Sequence, residues 1–221
     1  MRRWLFSRRL LTWGGAILIA VYFLSFTWRG LDSYFSRDDL MNLQSLHGYW
    51  ETPLWRLVLD TFLIGSPSYR PFGGVVYRML YFAAGMNPVP FRVFCFLLLF
   101  GNLALVYQVA RILTHSAEMA FLSALLFAYH PALFALYYET ATIYDLLCGA
   151  FYFTALWVYV KWRRTYPSFT WTQVAILLVL LLLALQSKEM AVTLPVTSPS
   201  TTTAFANTCA LMRPFAPMVR T

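Results

Sequence analysis

Residues 93–110 read VFCFLLLFGNLALVYQVA, an uncharged apolar run closed by Arg111. As a helix rising about 1.5 Å per residue, this run nearly crosses a hydrocarbon core of about 30 Å. Working outward, similar runs occupy Leu10 to Trp28, Met119 to Tyr138, Thr140 to Val160 and Phe169 to Ser187, the last with an almost purely aliphatic centre from Leu177 to Leu183. The composition agrees, with 60% hydrophobic residues, 12% charged residues and a mean hydropathy of +0.60. These values belong to an integral membrane protein. The expected fold is all-α: a polytopic transmembrane helix bundle of about five spans, at 10–28, 93–110, 119–138, 140–160 and 169–187. A shorter apolar stretch, Met79 to Phe91, contains Pro88 and Pro90. It predicts a re-entrant or interfacial helix in the first external loop, residues 29–91.

Basic residues at the ends of the runs give an orientation, because short cytoplasmic loops retain Lys and Arg. Arg2, Arg3, Arg8 and Arg9 precede the first run, Arg111 closes the second, and Lys161, Arg163 and Arg164 close the fourth. One topology satisfies all three clusters, with the N-terminus cytoplasmic. It puts eight of the nine carboxylates on the non-cytoplasmic side and leaves Glu118 inside. The long loop also carries Arg29, Arg37, Arg56, Arg70 and Arg78, but loops of this length weigh less in topology.

The net charge of +8 and pI near 9.6 do not point to nucleic acid, since the basic residues are spread around membrane ends without an aromatic and basic binding face. Anionic lipid head groups or a phosphate-bearing substrate fit them better. The first run is read as a retained signal anchor, because Ser25-Phe26-Thr27-Trp28 offers no small-residue cleavage site. Cys95, Cys148 and Cys209 lack metal-ligand spacing and read as packing residues. Residues 1–197 thus form a transmembrane region. From 198 to 221 the pattern collapses into Ser, Thr and Pro, which predicts a disordered tail or one altered by a frameshift.

Four constellations carry chemistry. Arg37-Asp38-Asp39 follows the first run, near Asp32, Tyr34, His47, Trp50 and Glu51. A carboxylate there can take a proton from an incoming hydroxyl, and its neighbour can hold the acceptor or a metal; equally, Asp38 can be the N-cap of a helix starting near Leu40. Tyr69-Arg70-Pro71, with Gly73-Gly74 and Arg78, offers guanidinium groups that either grip a phosphate or snorkel to lipid. His130-Pro131 and the group Tyr137, Tyr138, Glu139, Tyr144 and Asp145 flank a hairpin. An ionisable group at membrane depth such as Asp145 is by default functional, and its plain alternative is a structural pair with an Arg of the long loop. His130 is read as packing beside a proline kink or as a ligand. Ser187-Lys188-Glu189 ends the fifth run as an interfacial anchor or as a phosphate-neutralising group.

In this order and on one membrane side, the motifs resemble the GT-C class of multi-spanning glycosyltransferases that use polyprenyl-phosphate-linked sugars. They are most similar to bacterial membrane proteins related to protein O-mannosyltransferases and to tetratricopeptide-bearing transmembrane mannosyltransferases. The resemblance covers residues 10–196 and rests on Asp38-Asp39, on Tyr69-Arg70-Pro71 running to Tyr81-Phe82-Ala83-Ala84-Gly85-Met86-Asn87-Pro88, on His130-Pro131 with Asp145 fifteen positions on, and on Ser187-Lys188-Glu189. It implies a general base at Asp38 or Asp39 and transfer of sugar from the lipid phosphate to a protein, lipid or glycan hydroxyl. Charge and side add Arg70 and Lys188 as phosphate-binding groups, with His130, Glu139, Asp145 and Glu189 in support. A divalent metal stays an open option, the membrane lipid is a partner, and the implied location is a bacterial inner membrane with the acidic loop periplasmic. Where relatives often carry a Glu five positions after the His stands Ala135, and Glu139 lies four further on. Such enzymes generally have eight or more spans, so this chain would be an N-terminal portion. The competing expectations are a non-enzymatic or degenerate assembly partner and a transporter, although the paired halves of a transporter are not visible.

Overall fold

The computed structural model describes residues 33–45, 70–130, 138–166 and 169–197, with isolated positions between 17 and 59 and at 135. Most of the expected first span, the Arg2 to Arg9 cluster, Asp32, His47, Trp50, Glu51, Tyr69, Pro131, Tyr137 and the tail 198–221 lie outside the described residues.

The described residues are all helical or irregular. The elements are α1 (Arg37–Ser45), α2 (Pro71–Ala84), α3 (Pro88–Thr114), α4 (Ala117–Ala128), α5 (Ile143–Thr165) and α6 (Trp171–Ser187), with single 3-10 turns at Thr140–Thr142 and Glu189–Thr193. Helix α5 is central and packs on α3 and α6, while α4 packs on α3 and α2 leans on α6, α3 and α5.

Two of these segments are long and apolar enough to cross a membrane: Pro88–Thr114, with a mean hydropathy of 2.1, and Thr140–Thr165, with 1.5. At about 1.5 Å per residue, the 27 residues of α3 reach roughly 40 Å, beyond the hydrocarbon thickness. The 17 residues of α6 stand at the lower edge of a span. It begins at a capping box, in which Thr170 Oγ1 accepts from the Gln173 N–H and the Gln173 side chain accepts from the Thr170 N–H.

Two expectations are corrected. The span expected over 119–138 is not one continuous helix: α4 has 12 residues and ends at Ala128. The following Pro131 disfavours helical backbone at His130 and withholds an N–H, so the run is broken where its apolar composition continues. The helix expected over Met79 to Phe91 is also redrawn. Its prolines begin a helix instead of breaking one: Pro88 lies in the first turn of α3, and Asn87 caps it by accepting from the Val89 N–H at 3.1 Å. The helix within that stretch is α2, opened by Pro71 and closed at Gly85, whose φ of 58° is a positive-φ conformation that glycine adopts freely.

Interlocking polar contacts fix the helices to one another. Asn102 of α3 donates to Leu146 O of α5 at 3.0 Å, in a close approach that Gly149 permits, since a Cβ there would come within 3.0 Å of Asn102 Nδ2. Gly73 makes a tighter fit. A Cβ on it would come within 2.1 Å of the Tyr144 ring, so α2 meets α5 only because position 73 has no side chain. Phe35, Tyr77, Phe91, Leu99, Ile143 and Leu147 fill the core beside that contact.

Candidate functional site

The site is built where the N-termini of α2, α3 and α5 meet the C-terminus of α6. Its floor is Asp39. This residue is fully buried, and its carboxylate accepts from the Ser36 N–H at 2.8 Å, from the Ala141 N–H at 2.5 Å and from the Tyr77 hydroxyl at 3.3 Å. Ser36 answers as a helix cap, its hydroxyl accepting from the Asp39 N–H at 3.4 Å. The Tyr77 hydroxyl also meets Thr140 Oγ1 at 2.7 Å. Burial first, and then the charge of Asp39, push the Tyr77 phenol far above its ordinary range, so it stays a hydroxyl able to donate. Arg92, buried at the start of α3, donates to Ser33 O at 3.2 Å and Tyr34 O at 3.1 Å. Three elements distant in sequence therefore hold the segment Ser33 to Asp39 in place.

The consequence for the acidic pair is a division of labour. Asp39 directs its lone pairs to buried donors, whereas Asp38, one residue earlier, is exposed on the first turn of α1. The capping carboxylate is therefore Asp39 in place of Asp38.

Two ion pairs form the wall. Arg70, immediately before α2, donates through Nε to Glu189 Oε2 at 3.3 Å and through Nη2 to Glu189 Oε1 at 3.0 Å, a two-point grip that Lys cannot make. Its guanidinium also lies 5.9 Å from the Tyr144 ring centre. Lys188, directly after α6, pairs with Asp145 in the first turn of α5. Consecutive residues 188 and 189 thereby tie α6 to α5 and to α2. The Glu189 carboxyl is held below its ordinary value, chiefly by its own backbone hydrogen bond and then by the Arg70 guanidinium and the Lys188 charge.

Arg70, Lys188, Asp145 and Glu189 are thus brought together, and the partner of Asp145 is Lys188 instead of an Arg of the long loop. Glu139 is half-buried nearby, where its carbonyl accepts from Thr142 Oγ1 at 2.8 Å. His130 is exposed just beyond α4, its backbone N–H donating to Phe127 O at 3.3 Å. Among the described residues no group of three or more His, Cys, Asp and Glu side chains is arranged to hold a metal ion. Sequence reading missed Tyr77, Arg92 and Thr140. Arg92 carried a signal, a charge at the mouth of an apolar run, but Tyr77 and Thr140 look like any interfacial tyrosine and threonine.

Over 145 residues, 66% of this chain, the sequence is 31% identical to the protein O-mannosyl-transferase Tmtc1 of Drosophila melanogaster. The chain spans 16% of the length of that relative. No family model matches, and no solved structure matches. The similarity supports a link to glycosyltransferases at a coarse level, and with the two apolar helices it supports a membrane protein.

Proposed function

We propose that this chain is the catalytic front portion of a GT-C-type glycosyltransferase, moving a sugar from a polyprenyl-phosphate donor to an acceptor hydroxyl at the non-cytoplasmic membrane face. The observation that carries this reading is the convergence of Arg70–Glu189 and Lys188–Asp145 at the end of the bundle where Asp38 is exposed on a segment pinned by its buried neighbour.

In the reaction, Asp38 takes the proton of the acceptor hydroxyl as its oxygen attacks the anomeric carbon. The bond from that carbon to the phosphate oxygen breaks, and the lipid phosphate leaves with the electron pair. Its new charge needs cations nearby, which Arg70 and Lys188 supply. Each cation already holds a carboxylate, so phosphate oxygens would replace Glu189 and Asp145. Such an exchange is cheap because partly exposed pairs are weak, and the side chains of Arg70 and Glu189 are 31% and 52% exposed. Asp39 serves as a positioning residue.

The test gives membranes carrying the full chain a labelled polyprenyl-phosphate sugar and follows donor retention and transfer. Asp38→Asn is expected to retain donor and to lose transfer by at least about 100-fold, the usual scale of a general base. Arg70→Ala weakens donor retention. Transfer by Asp38→Asn at the unmodified rate overturns the base assignment.

A second reading is favoured by the neutralisation of both cations: the pairs organise helix packing in a non-enzymatic assembly partner. It requires that the charge-exchanged variant Asp145→Lys/Lys188→Asp behave as the original in every assay, whereas phosphate binding by Lys188 requires a loss of donor retention.

A further inference from the structure

The floor and the wall of the site share one residue. Tyr144, in the first turn of α5, is buried with its ring stacked on that of Tyr77, the centroids 5.9 Å apart and the planes inclined by 16°. Tyr77 is held in turn through its hydroxyl, by Asp39 and Thr140. Gly73 of α2 closes in on the Tyr144 ring so tightly that any side chain at position 73 would strike it. The ring therefore has a fixed place, set by α2 and α5 together. Over it lies the Arg70 guanidinium, 5.9 Å from the ring centre. Arg70 caps the start of α2 three residues before Gly73, so the same helix end that presses on the ring brings the cation to it.

Arg70 thus has two supports of different kinds. Glu189 accepts from its Nε and Nη2 at 3.3 and 3.0 Å. A phosphate would need those same edge donors, so carboxylate and phosphate compete for them. An aromatic face does not compete. It attracts the cation through its quadrupole and leaves the N–H groups in the guanidinium plane free for an anion. When phosphate oxygens take the place of Glu189, the ion pair is lost and the ring contact remains. No hydrogen bond among the described residues uses the Tyr144 hydroxyl, so the support that Tyr144 gives comes from its ring.

We propose that Tyr144 is a positioning residue for the donor phosphate, its ring holding the Arg70 guanidinium in place once Glu189 has been displaced. The inference rests on the sugar-transfer reading and deepens it, by giving the phosphate-binding cation a support that the phosphate does not remove. Through Tyr77 and Asp39 the same ring is tied to the segment that carries Asp38, so base and cation are set against one frame.

The experiment measures transfer from a labelled polyprenyl-phosphate sugar in membranes carrying the full chain, over a range of donor concentrations. Tyr144→Leu is expected to raise the donor concentration for half-maximal rate by roughly five- to tenfold, the scale of a partly exposed cation–π contact. The rate at saturating donor should stay within about twofold, the pattern of lost binding with the chemistry intact. Tyr144→Phe keeps the ring and should match the unmodified chain. A fluorinated phenylalanine at position 144 keeps the ring's shape but withdraws charge from its face. It should weaken donor binding as Tyr144→Leu does, which separates the cation contact from packing. In Arg70→Ala/Tyr144→Leu the two losses should not add, because the ring acts through the guanidinium. Unchanged half-saturation in the fluorinated variant, or additive losses in the double variant, overturns the proposal and leaves the phosphate role of Arg70 standing. Unchanged half-saturation in Arg70→Ala, or no transfer by the unmodified chain, overturns the sugar-transfer reading and this proposal with it.

Discussion

At the residue scale, neighbours of the same type do opposite jobs. Asp38 and Asp39 are adjacent carboxylates, yet one faces out and the other is fully buried among three donors. Asp39→Asn leaves one of those donors facing an amide that cannot accept from all of them, and we expect a loss of about 1–3 kcal/mol in unfolding free energy, read by thermal denaturation in detergent. Asp38→Asn should leave the same transition unmoved. Gly73→Ala drives a methyl group into the Tyr144 ring, with an expected loss of roughly 1–3 kcal/mol. Relief of that loss in Gly73→Ala/Tyr144→Ala would identify the ring as the cause. The sequence announced the acidic pair but not which member was buried, because that choice depends on Tyr77, 38 residues away, and on Ala141, 102 residues away.

At the element scale, the ends of helices carry the caps and the ion pairs. Pro71 and Pro88 sit in first turns, where a missing N–H is harmless, so prolines that look like breakers are starters here. That ambiguity shifted the expected interfacial helix, while Pro131 shortened the expected third span. The closing tripeptide of α6 was legible as a charged helix end, but its partners were not, since Arg70 lies 119 residues from Glu189. The pairing has a pH signature. The Glu189 carboxyl is lowered in the folded protein from an ordinary value of 4.5. Its contribution to stability is therefore present above that ordinary value and is lost as pH falls through the lowered folded value. Stability profiles of the unmodified chain and Glu189→Gln should run apart at neutral pH and converge in acid. Parallel profiles from neutral to acid pH would show that Glu189 makes no such contribution.

At the scale of the whole molecule, the account rests on polarity between two ends. Arg92, Asp39, Asp145, Lys188 and the pair Arg70–Glu189 gather at one end, and Arg111, Lys161, Arg163 and Arg164 at the other. Helical membrane character was legible from composition alone, and so was the segregation of charge, because both follow from the cost of placing ions in hydrocarbon. The contacts that turn a list of charged residues into a site were not, because they join elements far apart in the chain. The most direct test of this polarity is labelling by a membrane-impermeant maleimide in intact cells, in a Cys209→Ser background, of Leu40→Cys beside Asp38 and of Thr165→Cys beside Arg164. The account predicts labelling of position 40 from outside and of position 165 only after permeabilisation. Labelling of position 165 from outside, or of position 40 only after permeabilisation, would contradict it.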